Sequence, residues 1–498
     1  MARYHWRWRR VLLCLCCTPC VLVGSLCVYV TLAVCYGTTT TTTTGPGAAA
    51  PISQTLPERF IALGLTSNGT VAPHPTSSFW DPKPHGGALW NLLQLHIDRQ
   101  YNPILMPSRV YNYHIDTNNN NNKNYLQFSF PTLSAGFSEI GNLMSQIEDF
   151  PELPLQMQMF VRSMHFRDYP VLIEPAKLCR RGLRKGQGPL LVLAIKTKDL
   201  NFENRQAIRQ TWGRAGWVAG ATGNGGVVRR VFLLGKNHAE PRVEVSELLQ
   251  LESRQYRDIL QWDFHDSFFN LTLKDVLLWD WLSTRCSMAR FVFKGDDDVL
   301  LRTPALLDYL REQTILSGAP GSEVMKGFMV GDVIGAASPN RVNSTKYFIP
   351  ASFYKGLYPP YGGGGGVVYS GELALRLNRI SRTVHLYPID DVYVGMCLHR
   401  LGVHPIHHPA FLTFDFPKKE GEERCAYHTI LLVHKRSPAQ VMKLWSELMR
   451  NQTECNSTIL RTEKENKNTL LIDPFSVKDN KGQELLTDPW GSSENSAL

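Results

Sequence analysis

No charged side chain occurs between Val11 and Tyr36, a run of 26 residues. The run is longer than the roughly 20 residues an apolar helix needs to cross a bilayer core. It also exceeds the apolar stretch of a cleaved signal peptide, usually about 7–15 residues. Lysine and arginine are missing after it until Arg59, whereas Arg3, Arg7, Arg9 and Arg10 stand before it. That asymmetry predicts a single-pass anchor over 11–36 with residues 1–10 in the cytosol. A basic stripe is missing as well. The net charge of +9 owes much to those four arginines, and the remainder is interleaved with acidic residues. Nucleic acid is therefore excluded as a partner.

Cysteine is scarce beyond the anchor. Six of the 11 lie inside it (Cys14, Cys16, Cys17, Cys20, Cys27 and Cys35), leaving Cys179, Cys286, Cys397, Cys425 and Cys455. In an oxidising compartment these allow one or two disulfides with at least one thiol left over. Sequons at Asn68, Asn270, Asn343, Asn451 and Asn456 fit the same side of the membrane. A hydrophobic content of 43% excludes disorder for the chain as a whole.

What is present divides the chain. Thr38–Thr44 and Gly45-Pro46-Gly47 open a polar stem that lacks the apolar residues to fold, assigned to 37–100. Residues 101–188, which include an Asn tract from Asn118 to Asn122, read as a segment packing on the catalytic domain. The catalytic domain is assigned to 189–455, and 456–498 to a polar, disordered tail. Within the domain, Leu190–Ile195 reads as a strand buried on both faces. Helical patterns at Asn201–Trp212, Val243–Tyr256 and from Thr272 alternate with strands at Val227–Leu234, Ile259–Phe264 and Phe291–Phe293. Thr272 and Asp275 have capping-box spacing. The alternation predicts an α/β fold with a parallel, Rossmann-like sheet, whose ligands sit beyond the carboxyl ends of the strands.

Lys294-Gly295-Asp296-Asp297-Asp298 stands at one such end. Extended backbone turns Asp296 and Asp298 the same way, with Asp297 opposite, which suits a hard divalent cation bridging a diphosphate; Asp296 and Asp297 are also candidate contacts to the nucleotide. A second pair, Asp390-Asp391, opens a helix predicted over Val392–Leu401. Asp390 suits a cap or a ligand contact; Asp391 suits a general base facing an acceptor hydroxyl. Gly362–Gly366, with Gly363, Gly364 and Gly365 at its centre, permits close approach of backbone to a ligand. Arg205 and Arg209 share a helix face with Trp212, able to grip a nucleotide or to pair with structural carboxylates. Lys196, just past the first strand, is a candidate phosphate contact, and His434, after Ile430–Val433, a candidate third metal ligand.

The ordered set Arg205-Gln-Ala-Ile-Arg209-Gln-Thr-Trp212-Gly213, Phe291-Val-Phe-Lys-Gly-Asp-Asp-Asp298, Tyr358-Pro-Pro-Tyr-Gly-Gly-Gly-Gly and Tyr387-Pro-Ile-Asp-Asp-Val-Tyr393 resembles the β-1,3-glycosyltransferases of family 31. It looks closest to those β-1,3-N-acetylglucosaminyltransferases that extend poly-N-acetyllactosamine. The resemblance spans roughly Tyr101 to Cys455. It implies a GT-A fold, a UDP-N-acetylglucosamine donor, Mn²⁺, and a galactose-terminated glycan acceptor on glycoprotein or glycolipid. It further implies inversion at the anomeric carbon and a type II protein of the Golgi membrane. Self-association, or association with other glycosyltransferases, is compatible with it. Asp296–Asp298 match the metal motif with Asp298 as direct ligand, His434 matches the histidine completing it, and Asp391 the base. The family pattern has a cysteine where Phe166 stands here, which implies one cysteine without its partner. The competing readings are a β-1,3-galactosyltransferase of the same family, whose motifs are largely shared, and a non-catalytic lumenal sugar-binding relative. A calcium or metallophosphatase site on the Asp triplet is a third, disfavoured by the strand–helix alternation.

Overall fold

The computed structural model describes residues 88–101, 149–184, 186–237, 243–317, 322–335, 337–416, 419–450, 453–455 and 457–462. The expected anchor at 11–36, Asn68, the Asn tract, Asn451, Asn456 and the tail beyond 462 lie outside these residues. No helix among the described residues is long and apolar enough to cross a membrane.

Fourteen strands are described: β1 Val171–Ile173, β2 Leu191–Lys196, β3 Gly216–Val218, β4 Gly226–Lys236, β5 Ile259–His265, β6 Phe291–Asp296, β7 Leu300–Leu301, β8 Met329–Gly331, β9 Val333–Ile334, β10 Tyr361–Gly362, β11 Gly366–Ser370, β12 Ile406–His407, β13 Phe411–Leu412 and β14 Leu432–Val433. The main sheet runs β1-β5-β4-β2-β6-β11-β8-β12, with β3 on β4. Its centre, β5-β4-β2-β6, is parallel and built by the expected strand–helix alternation. All six residues of β2 are buried, as an apolar strand covered by helices on both faces requires.

The sheet departs from the all-parallel expectation at its flanks. β1, β3 and β11 are antiparallel to their neighbours, so the sheet is mixed. At β11 the chain leaves the glycine run so that Gly366–Ser370 lies antiparallel beside Phe291–Gly295. Three more expectations are corrected. Thr272 does not cap its helix, Leu271–Arg285; its hydroxyl donates to Tyr387 O at 2.6 Å instead. The stem assignment reaches too far, because the helix Leu89–Tyr101 buries Leu89, Trp90 and Leu93 in the main core. The Trp90 indole donates to the backbone of His385 and Leu386. The tail assignment likewise starts too early, since Arg461 N donates to Thr429 O at 2.7 Å.

Cys179–Cys286 and Cys425–Cys455 are disulfides, and Cys397 is a buried free thiol. Burial pushes the Cys397 thiol up to about 12, so it stays protonated beside Tyr393. Arg167, next to Phe166, donates to the Tyr393 hydroxyl at 3.3 Å, while Phe166 itself turns outward against Tyr169. Of the described sequons, Asn343 is exposed, whereas Asn270 donates its amide to His265 O at 2.8 Å.

Candidate active site

β6 carries the Asp triplet to the carboxyl end of the parallel strands, and register aligns Asp296 with Lys196 on β2. Immediately afterwards β7 leaves to form a three-stranded sheet, β13-β14-β7. That small sheet is what delivers the distant histidine. Val433 pairs with Leu300, and Arg436 N donates to Asp298 O at 2.7 Å. His434 consequently faces the triplet: Nε2 lies 3.2 Å from Asp298 Oδ1 and 3.7 Å from Asp296 Oδ2. Ligand atoms of Asp296, Asp298 and His434 all fall within 4.8 Å of one another. His434 Nδ1 is 3.3 Å from Thr413 O, and donating that proton leaves Nε2 free to coordinate.

Asp297 points away, as strand alternation dictates. Its Oδ2 accepts from Thr197 Oγ1 at 2.5 Å and Asn201 Nδ2 at 2.8 Å. Burial raises its pKa to about 6 against those two hydrogen bonds. Thus Asp297 anchors the loop after β2 rather than joining the cluster.

Asp391 lies across the glycine loop from that cluster. A Cβ placed on Gly364 would stand 3.6 Å from Asp391 Oδ2 and 3.7 Å from His434 Cε1, so both side chains border one small space floored by this glycine. Gly365 has φ +97°, a conformation that favours glycine, and its Cβ would press on the His434 ring. Gly363 N donates to Asp332 O at 2.6 Å, tying the loop to the end of β8. Burial and the neighbouring Asp390 raise the Asp391 pKa, against the opposing pull of Lys294 and Lys196.

Asp390 and Lys196 take other parts than expected. Asp390 is the first residue of the helix Asp390–Arg400, and the N-cap position is Ile389. Its Oδ2 accepts a short hydrogen bond from Lys196 Nζ, which also lies 3.2 Å from Asp296 Oδ1. Burial would raise the Asp390 pKa, but the two lysine ammonium groups hold it below the usual carboxylate range. Lys196 is therefore buried among carboxylates and bridges the triplet to the second acidic pair.

Arg205 and Arg209 do not reach this site. Arg205 is fully buried and pairs with Glu252 at 2.8 Å, and Arg209 binds Glu252 and Asp258. Two arginines on one helix face meet the carboxylates of neighbouring elements, the structural alternative open from sequence. Arg205 also donates to Lys198 O and Asp199 O, so it braces the loop from beneath. Glu252→Ala should cost about 3–5 kcal/mol of stability by leaving buried guanidinium charge uncompensated. Chemical denaturation would measure this, and a loss below 1 kcal/mol would refute it.

Lys294 and Asp275 also belong here, although local pattern gives Asp275 only capping-box spacing from Thr272. Lys294 Nζ lies 3.0 Å from Asp275 Oδ2 and 3.2 Å from Asp391 Oδ1. The available signal was a lysine inside an otherwise apolar buried strand.

Comparison with known proteins gives this arrangement its class. The family model described as Galactosyltransferase matches residues 203–409, a stretch that holds the Asp triplet, the glycine loop and Asp390-Asp391. The chain belongs to this family, the family 31 glycosyltransferases. It is 42% identical over 382 residues to N-acetyllactosaminide beta-1,3-N-acetylglucosaminyltransferase 2 of Mus musculus, covering 76% of this chain and 89% of that one. It is 41% identical to N-acetyllactosaminide beta-1,3-N-acetylglucosaminyltransferase 4 of Mus musculus, over 61% of this chain and 81% of the relative. UDP-GlcNAc:betaGal beta-1,3-N-acetylglucosaminyltransferase 7 of Rattus norvegicus is 39% identical over 61% of this chain and 74% of its own.

Proposed function

We propose that the chain is a GT-A, metal-dependent, inverting β-1,3-N-acetylglucosaminyltransferase that moves GlcNAc from UDP-GlcNAc to the 3-hydroxyl of a terminal β-galactose. The observation that carries this reading is the shared space above Gly364, bordered by a lone carboxylate on one side and the Asp296–Asp298–His434 cluster on the other. The names of the relatives support the donor and the acceptor.

Two carboxylates and an imidazole within 4.8 Å suit a divalent cation such as Mn²⁺, and the fixed histidine tautomer suits coordination. When bound there, such an ion would neutralise charge on the departing diphosphate, so no separate acid need protonate the leaving group. Asp391 Oδ2 takes the proton of the acceptor hydroxyl as that oxygen attacks the anomeric carbon from the opposite face, and UDP leaves. Gly364 keeps the floor low enough for the reacting sugar, and Asp332 with Gly363 fixes the rim. The uncharged run at 11–36, the sequons and the two disulfides support a type II protein of the Golgi membrane with its catalytic domain in the lumen.

A donor panel at fixed galactose-terminated acceptor with Mn²⁺, followed by linkage analysis, tests the proposal. UDP-GlcNAc should be the donor and β-1,3 the linkage. Transfer from UDP-galactose alone would make the chain a galactosyltransferase of the same family, and failure with every donor would favour a non-catalytic relative.

A further inference from the structure

Burying a lysine in the centre of a sheet is costly unless carboxylates compensate it. Lys294 is such a lysine: every residue of β6 before Asp296 is buried. An ammonium has three donors, and three carboxylate groups surround this one. Asp275 Oδ2 lies at 3.0 Å, Asp391 Oδ1 at 3.2 Å and Asp390 Oδ2 at 3.6 Å. We propose that Lys294 and Asp275 are positioning residues that clamp Asp391 by one oxygen and aim the other at the acceptor. The proposal rests on the reading of Asp391 as base.

The division of labour is visible atom by atom. Lys294 occupies Asp391 Oδ1, whereas Oδ2 is the oxygen facing the space above Gly364. Rotating the carboxylate would surrender the ammonium contact. Lys294 in turn is held by Asp275, which is fully buried on the helix Leu271–Arg285. Asp275 Oδ1 has no hydrogen-bond partner among the described residues, so the carboxylate serves Lys294 through Oδ2 alone. The preceding residue, Lys274, fixes this helix against the strand ends through Thr197 O at 2.7 Å and Asp266 Oδ2 at 2.9 Å. Burial raises the Asp275 pKa to about 6 despite Lys294, a cost that a purely apolar helix–strand contact would not carry. Among the described residues the ion pairs of Lys294 run to Asp275, Asp390 and Asp391 and not to Asp296, Asp298 or His434, so the effect should fall on turnover and not on donor affinity.

The test is a mutant cycle on the full-length chain, with Lys294→Met and Asp275→Asn each made in the wild-type and the Asp391→Asn backgrounds. In the wild-type background kcat should fall about a hundredfold, the loss expected when a reacting group is misplaced by about an ångström. Donor KM and the calorimetric affinity for UDP with Mn²⁺ should stay within about twofold. In the Asp391→Asn background the residual rate should not fall further, because residues that act through one group are not additive with its loss. An equal loss in both backgrounds, or a raised donor KM with intact kcat, would overturn the clamp. Normal turnover in Asp391→Asn alone would overturn the base reading itself, and is seen separately. Should Lys294→Met lose its melting transition, Asp275→Asn, which keeps the shape but removes the charge that compensates Lys294, decides by the same criteria.

Discussion

Replacing Asp391 by Asn should leave UDP and Mn²⁺ binding within a few-fold of wild type while transfer falls about a hundred- to ten-thousandfold, the usual contribution of general-base catalysis. That loss equals about 3–5 kcal/mol of barrier. The amide keeps the size of the carboxylate and can still accept from Lys294, so the fold and the donor half of the site are undisturbed. What it lacks is an oxygen able to take a proton. Calorimetry with UDP and Mn²⁺ beside a radiolabelled transfer assay separates the two effects. Turnover near wild type would remove Asp391 from the mechanism. The pH dependence should agree. Because burial and Asp390 raise the Asp391 pKa, its basic form is lost at higher pH than for an ordinary aspartate. The acid limb of kcat should therefore sit above the usual value of about 4 and vanish in Asp391→Asn.

Asp298→Ala and His434→Ala should instead damage the donor side. Changing a residue that merely orients a metal ligand costs about 10–100-fold in affinity, so removing one of three ligands should exceed that range. The Mn²⁺ concentration for half-maximal rate should rise accordingly, with the donor KM. An unchanged Mn²⁺ response would exclude the residue as a ligand. His434 adds a signature of its own. Burial lowers its pKa, but Asp298 and Asp296 together more than reverse this and raise it. A proton on that imidazole competes with the cation, so Mn²⁺ affinity should weaken as pH falls through the raised value. In His434→Ala that part of the dependence should disappear.

Much of this layout could be read from the sequence, and the limits have physical causes. The carboxyl end of β6 was legible because an apolar strand running into three aspartates has few other uses, and alternation already separated Asp297 from its neighbours. The glycine run announced a close approach of backbone to something. Local pattern could not show which partner a long charged side chain chooses. Arg205, Arg209 and Lys196 can each reach several ångströms, and their choices depend on Glu252, Asp258 and Asp390, residues 47, 49 and 194 positions away. The same holds for Asp275, whose spacing from Thr272 imitates a cap while tertiary contacts direct both elsewhere. Antiparallel flanks were missed because the periodicity of a buried strand does not record its direction.

The bond between Cys425 and Cys455 spans 30 positions, and inside that interval lie β14, His434 and the helix Pro438–Arg450. On the reading of Asp296, Asp298 and His434 as a cation site, one of its three ligands is thus carried on a covalently closed hoop, worth about 3–4 kcal/mol in the chain-entropy view. Where thiols stay reduced the hoop is open, and the imidazole is delivered by the short pairings of β14 with β7 and β13 and by backbone bonds at His434 and Arg436. Oxidative maturation and readiness to capture the ion are therefore coupled: the molecule is armed by its surroundings.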